Sequence, residues 1–220
     1  MAPDLPAVKL AINEQVRAGV HVVTLFSDVA GSMREVYVGV DNRAAGRTAG
    51  LLLARMASPP ARDTLLLLSP VTRLSAEIER RIGFVQVIEE RFPALRVLRA
   101  PDLPRDDEGG YQVLKQFLQK EVDLARVAGS YSVGSGSVGV LRALNEVQGL
   151  AHGPSMIAHD FTEQHQSLLV SDKLAYVLHQ DIHYCVVTAA RVLRALCENV
   201  RGALNVVQPR VEILTAENLH

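Results

Sequence analysis

Three aspartates, Asp28, Asp41 and Asp160, each follow a short apolar run, where a carboxylate could exchange a proton or accept hydrogen bonds from hydroxyls. Their spacing pairs no two of them and ties none to a histidine in triad order. Asp28 and Asp41 read equally as turn caps, and for Asp160 ligand binding and local capping both stand open. Arg80 and Arg81 lie just ahead of Gly83-Phe84 in a helical stretch. Either one presents a two-pronged donor to a cleft, or both lie on a solvated face beside Glu77 and Glu79. His159, His165 and His179 lack metal-ligand spacing, and neither CxxC nor HExxH occurs. No metal site, cofactor or catalytic constellation is therefore expected.

Gly134-Ser135-Gly136-Ser137-Val138-Gly139 matches GxGxxG, and Asp160 follows 21 residues after it. In a dinucleotide site such glycines let a pyrophosphate approach a helix N-terminus. Here the first glycine comes about four residues after the expected strand end, and the motif lies late in the chain, so a Gly/Ser turn is the plainer reading. Cys185 and Cys197 share one helical stretch. At a rise of about 1.5 Å per residue they stand roughly 18 Å apart, beyond disulfide reach, which predicts free thiols and fits a reducing compartment.

The elements that must position these residues alternate almost throughout. Apolar spacing and breakers predict helices over 7–18, 43–56, 76–91, 111–120, 138–148 and 182–200. Short apolar or β-branched runs predict strands over 21–26, 36–40, 64–68, 96–99, 124–129, 155–158, 175–178 and 210–214. Val8, Ile12 and Val16 form a stripe expected in the core, or at best at a subunit contact. Alternating β and α units imply a parallel, doubly wound sheet, which binds ligands at the carboxyl ends of its strands. Residues 27–28, 41–42, 69–73, 130–136, 159–160 and 179–181 fall there and are rich in carboxylate, amide, hydroxyl and imidazole groups, suited to a small ligand with several hydroxyls.

Composition narrows the class. Of 220 residues 48% are hydrophobic and 21% charged, enough for a sizeable core and against disorder. With 23 Lys+Arg against 24 Asp+Glu the net charge is −1, so no global basic field draws the chain to nucleic acid. No apolar run approaches a membrane span of roughly 18 residues. The first fifteen residues carry Asp4, Lys9 and Glu14 without an apolar segment, which predicts no secretory signal and a cytoplasmic location.

Several segments together resemble one family. Val22 to Leu25 before Ser27-Asp28, then Tyr37-Val38-Gly39-Val40-Asp41-Asn42 and Ala45-Gly46, resemble the effector-binding domain of LacI-type (lactose-repressor-like) transcriptional regulators, relatives of the periplasmic sugar-binding proteins. Arg80-Arg81-Ile82-Gly83-Phe84 resembles the family's "R..GF" helix start, and Tyr131 to Gly139 with Leu141-Arg142-Ala143-Leu144 its "N…G..RAL" segment. His159-Asp160 is similar to a strand end of that family and Val177 to Asp181 to its "v.QD" crossover. Glu212-Ile213-Leu214-Thr215 with Glu217-Asn218-Leu219 resembles a C-terminal "EI.T.ENL".

The resemblance implies a two-lobe, parallel-sheet α/β fold of the periplasmic-binding-protein type, with three-layer αβα lobes and a sugar or polyol effector held in the cleft between them. It implies an N-terminal lobe from 1–40 and 181–207 and a C-terminal lobe from 41–180 and 208–220. Ligand contacts would then fall on Ser27, Asp28, Arg80, Ser132, Asp160 and Gln180. It further implies a homodimer, no catalysis, no membrane, and contact with DNA only through a helix-turn-helix headpiece. Such domains begin with two β/α units and a strand before the point where Met1 stands, so headpiece and part of the N-terminal lobe are expected to be absent. Ser132 stands where relatives often place Asn. A periplasmic sugar-binding protein of an ABC transporter would use the same cleft, and a nucleotide-dependent enzyme would use Gly134 to Gly139.

Overall fold

Alternation of apolar runs with amphipathic stretches yields helices α1 (Pro6–Arg17), α2 (Asn42–Met56), α3 (Ser75–Arg91), α4 (Asp107–Glu121), α5 (Ser137–Gln148), α6 (Glu163–Val170) and α7 (Ile182–Cys197). The strands are β1 (Val23–Leu25), β2 (Val36–Val38), β3 (Thr64–Leu68), β4 (Arg96–Arg99), β5 (Val127–Ser132), β6 (Ser155–His159), β7 (Tyr176–His179) and β8 (Glu212–Leu214). The computed structural model describes residues 2–134, 136–148, 155–200, 202 and 204–219, so Ser135 of the glycine-rich motif lies outside them. The chain divides into two compact units, one of residues 1–42, 72–78 and 180–212, the other of 43–71, 79–179 and 213–220.

The second unit holds a sheet of order β4-β3-β5-β6-β7-β8, and the neighbouring pairs from β4 to β7 run parallel. All five residues of β3 are buried, as a strand covered on both faces requires. Side chains alternate across a strand, so Leu66 and Leu68 face one layer and Leu65 and Leu67 the other. Leu66 and Leu68 join a cluster with Leu114 and Phe117 of α4, Val140 and Leu144 of α5 and Leu169 of α6. On the opposite face Phe84 of α3 stacks on Tyr131 of β5 at 4.9 Å. Leu53 of α2 lies so close to Gly129 that a Cβ there would meet its Cδ2 at 2.7 Å. The result is an αβα sandwich.

Chain order runs from β3 outward to β4 and then back to the other side of β3 with β5. Ligand crevices of open α/β sheets form at such reversals, beyond the carboxyl ends of the strands. The α/β class and parallel sheet expected from the sequence are therefore observed.

In the first unit β1 pairs in parallel with β2, Val23 opposite Val36 and Leu25 opposite Val38. Val38 packs with Cys185 and Ala189 of α7 in a small buried cluster, flanked by Val23, Leu25 and Val36. Cys197, at the end of the same helix, is exposed. The stripe of Val8, Ile12 and Val16 is only half-buried, and α1 has no buried residue, so it does not enter the core as expected.

Three local differences have identifiable causes. Strand β5 begins at Val127, not near 124, because the Asp123 side chain accepts from the Ala125 amide and sets a 3-10 turn over Leu124–Arg126. Helix α4 starts ahead of Gly109-Gly110 because Asp106 caps it, accepting from Gly109 N at 2.7 Å. Helix α6 has no counterpart among the expected elements. It is short, its apolar residues Leu168, Leu169 and Val170 are consecutive, and it starts on a cap from Thr162 to His165 N at 3.1 Å.

Candidate ligand-binding residues of the two units

Arg80 is the best-defined candidate ligand contact of the second unit. Its position depends on two glycines where α2 and α3 cross. A Cβ on Gly46 would fall 2.0 Å from the Arg80 carbonyl oxygen, and one on Gly83 would fall 2.1 Å from that of Arg43. Only backbone without side chains fits there, and the close approach carries Arg80 to the reversal between β3 and β5. Its side chain is 5% exposed, donates from Nη1 to the Val133 carbonyl at 3.1 Å, and stands 3.8 Å from the Asp160 carboxylate. The solvated-face reading therefore fails for Arg80, whereas Arg81 is half-exposed.

Asp160 follows β6 with φ +63°, in the left-handed region that L-residues seldom occupy. Its side chain is 43% exposed. Capping of α6 belongs to Thr162, while the Asp160 carbonyl meets His165 Nδ1. Beneath them Tyr131 Oη and His159 Nε2 are 2.6 Å apart. Burial, then the nearby Arg80 and His165 charges, hold His159 well below the usual imidazole range, and burial raises the Tyr131 phenol far above its own. A neutral imidazole and a protonated phenol thus share one hydrogen bond. Ser132 is buried and donates to the Gly134 carbonyl at 3.3 Å.

In the first unit Ser27 and Asp28 follow β1 directly, after Phe26 at φ +62°. A bulky residue in that conformation is strained, and such strain concentrates at functional sites. Ser27 is buried, lies 3.1 Å from the Ser75 hydroxyl and accepts from Ala76 N at 3.3 Å. Ser75 in turn donates to the Asp28 carbonyl at 2.6 Å. The Asp28 carboxylate accepts from Thr24 at 2.7 Å, from Val29 N at 2.8 Å, and from both Arg34 Nε and Nη2. Burial pushes its pKa up, but the Arg34 and Thr24 hydrogen bonds outweigh that and hold it below the usual carboxylate value. Gln180 is buried immediately ahead of α7, whose cap is Asp181, accepting from Tyr184 N at 2.7 Å. The turn reading of Asp28 thus holds, its carboxylate being engaged by Thr24, Val29 and Arg34.

A pocket of about 610 Å³ opens within the second unit, bordered by the starts of α4, α5 and α6 and by His159 and Asp160. Its rim includes Gly134, Gly136 and Ser137 of the glycine-rich motif. Because β5 ends at Ser132, Gly134 follows it by two residues, closer than expected. Gly136 needs its freedom for φ +88°, and Gly139 because a Cβ would meet the Asp107 carbonyl at 1.9 Å. The motif thus serves the packing of α5 on α4. Asp107 also takes the Gly139 amide at 3.2 Å, occupying with negative charge one of the donors a pyrophosphate would need.

Among the described residues no group of three or more His, Cys, Asp or Glu could hold a metal ion, and no helix is long and apolar enough to cross a membrane. Sequence reasoning missed Arg34, Ser75, the Tyr131–His159 pair and Ser137. Tyr131, His159 and Ser137 lie inside segments singled out for other reasons, and polar type alone marks Arg34 and Ser75.

Comparison with known proteins accords with this arrangement. The sequence profile described as "Periplasmic binding protein domain" matches residues 1–200. No curated protein matches the sequence. Among solved structures, an arabinose-binding protein from Geobacillus stearothermophilus is similar with a TM-score of 0.77 at 22% identity, over 97% of this chain and 74% of that one. A glucose-galactose-binding protein from the same organism gives 0.83 at 19% identity, over 96% and 73%. A protein assigned to the LacI transcriptional regulators, from Bacteroides fragilis, gives 0.80 at 16% identity, over 98% and 74%. With its reversed parallel sheet, its polar strand ends and a profile match over nearly its whole length, the chain belongs to the periplasmic binding protein domain family.

Proposed function

We propose that this chain is the sugar- or polyol-sensing domain of a LacI-type transcriptional regulator, cytoplasmic and homodimeric, and that it binds its effector without transforming it. The observation that carries the reading is the buried Arg80 guanidinium held beside Asp160 at a strained strand end. A planar fork of donors next to an accepting carboxylate matches vicinal hydroxyls. Ser132 in the second unit, and Ser27, Asp28 and Gln180 in the first, supply further hydroxyl, carboxylate and amide groups to the same chemistry. An effector shifts such a dimer between DNA-competent and DNA-incompetent states only by its differential affinity for them. DNA contact belongs to a helix-turn-helix headpiece.

Isothermal titration of the chain with a panel of monosaccharides and polyols is expected to find a binder. Asp160→Gly, which suits the positive φ but lacks the carboxylate, is expected to abolish that binding while unliganded stability changes by less than about 1 kcal/mol. Unaltered affinity in the variant removes Asp160 from the site. A second reading, a sugar-binding protein of an ABC transporter, is favoured by the likeness to the arabinose and glucose-galactose binders. A genomic reading frame upstream of Met1 that encodes a helix-turn-helix selects the regulator, and one that encodes a secretory signal selects the transporter. Tight binding of NAD without any sugar would instead select a nucleotide-dependent enzyme, against the occupied Gly139 amide.

A further inference from the structure

We infer that the pocket beside Asp160, bordered by Gly134, Gly136 and the starts of α4, α5 and α6, is a subsite for a second, uncharged sugar ring, making the preferred ligand a neutral disaccharide. The inference rests on the sugar-sensing reading above and extends it from ligand class to ligand size and charge. His159 and Asp160 line the pocket, so it continues outward from the Arg80–Asp160 pair. Its volume of about 610 Å³ lies within the range of roughly 300–1,000 Å³ typical of small-molecule pockets, which leaves room for a ring beyond the one held at Arg80 and Asp160.

The chemistry of the walls selects the occupant. Ser137 is 4% exposed, and among the described residues its buried Oγ has no hydrogen-bond partner at the pocket rim. Native proteins rarely leave a buried hydroxyl unpaired, and a ligand hydroxyl would satisfy it as donor or acceptor. Asp106, Asp107 and Asp160 line the pocket against Arg105, so an anion such as a sugar phosphate meets repulsion. Two of those carboxylates already accept helix amides, Asp106 from Gly109 and Asp107 from Gly139, so negative charge already sits at the starts of α4 and α5 where a phosphate would be drawn. Each carboxylate keeps lone pairs for hydroxyl donors, and the Gln164 amide at the rim can donate and accept. Among the described lining residues the aromatic rings are the imidazoles of His159 and His165, with no Phe, Tyr or Trp, and Val138 is the one aliphatic side chain, which leaves little for a nucleobase to stack on.

The test is calorimetric titration of the full chain with neutral disaccharides of glucose, galactose, arabinose and xylose, with their component monosaccharides, and with the matching sugar phosphates. One disaccharide is expected to bind at least about tenfold tighter than its component ring, as a few added hydrogen bonds allow. Ser137→Ala and the exposed Gln164→Ala are each expected to weaken the disaccharide severalfold and leave the monosaccharide unchanged. Far-ultraviolet circular dichroism checks that both variants are folded, and Gln164, on the surface, keeps the test valid if Ser137→Ala is not. A monosaccharide that matches or beats every disaccharide, or a phosphate that binds best, overturns the subsite and leaves the sugar-sensing reading standing. Binding by no sugar at all overturns both.

Discussion

Arg80 carries its charge where little solvent reaches it, so its hydrogen bonds count for more than those of surface arginines such as Arg194. Arg80→Ala is expected to lower the unfolding free energy in urea by about 1.5–3 kcal/mol and to abolish sugar binding. Arg80→Lys, which keeps the charge without the planar fork, is expected to lose affinity at a smaller cost in stability. The histidine beneath it sets a pH dependence. Burial holds native His159 well below the imidazole value of 6.5 that its unfolded counterpart retains. Between those values the unfolded chain binds more protons, so stability falls as pH drops below about 6.5 and is level above it. Asp28, held below 3.8, adds a second loss as pH falls through the acid range. Urea titrations across pH resolve both limbs, and a Tyr131→Phe, His159→Phe double variant, which removes both partners of one hydrogen bond, is expected to flatten only the first. Arg80 and Asp160 were legible as candidates because both stand at recognisable places, one just ahead of Gly83-Phe84 within α3 and the other after β6. Arg34 was not, since nothing in a spacing of six marks a turn that folds a guanidinium back onto Asp28.

At the scale of elements, the glycines at helix crossings decide where side chains point. Gly83→Ala would place a methyl 2.1 Å from the Arg43 carbonyl, and Gly139→Ala one 1.9 Å from that of Asp107, so backbone must shift in both. Each is expected to cost about 1–3 kcal/mol or more in urea unfolding, against the small gain that Ala ordinarily brings inside a helix. Gly83→Ala is also expected to weaken sugar binding, because it moves α3 and with it Arg80. The order of strands and helices was readable from apolar runs such as Thr64–Leu68 and from stops such as Gly19. Boundaries that depend on one polar cap were not. Asp123 moved the start of β5, Asp106 the start of α4, and Thr162 created α6, each through a side-chain hydrogen bond that hydrophobic period does not register. The glycine-rich motif misled for a related reason. Its spacing matches a phosphate loop, but the third glycine answers to the neighbouring helix α4.

For the whole molecule the two units differ in the depth of their interiors. The second encloses a sheet buried on both faces, whereas in the first Val38, Cys185 and Ala189 form a small cluster and α1 buries no residue completely. Hydrogen exchange is therefore expected to be slowest in β3, β5 and β6 and markedly faster in β1 and β2, where few buried contacts oppose local opening. The sequence resemblance made the family recognisable but said nothing of this imbalance, which depends on contacts between distant segments. The two thiols turn it into something that can be timed. Cys197 lies in the open and Cys185 is sealed against Val38 on the same helix. A maleimide dye should therefore tag Cys197 promptly in the native protein, giving a single-position optical reporter without mutagenesis. The delayed arrival of a second dye at Cys185 then becomes a stopwatch for breathing of the first unit, and a sugar that tightens this unit should slow that watch.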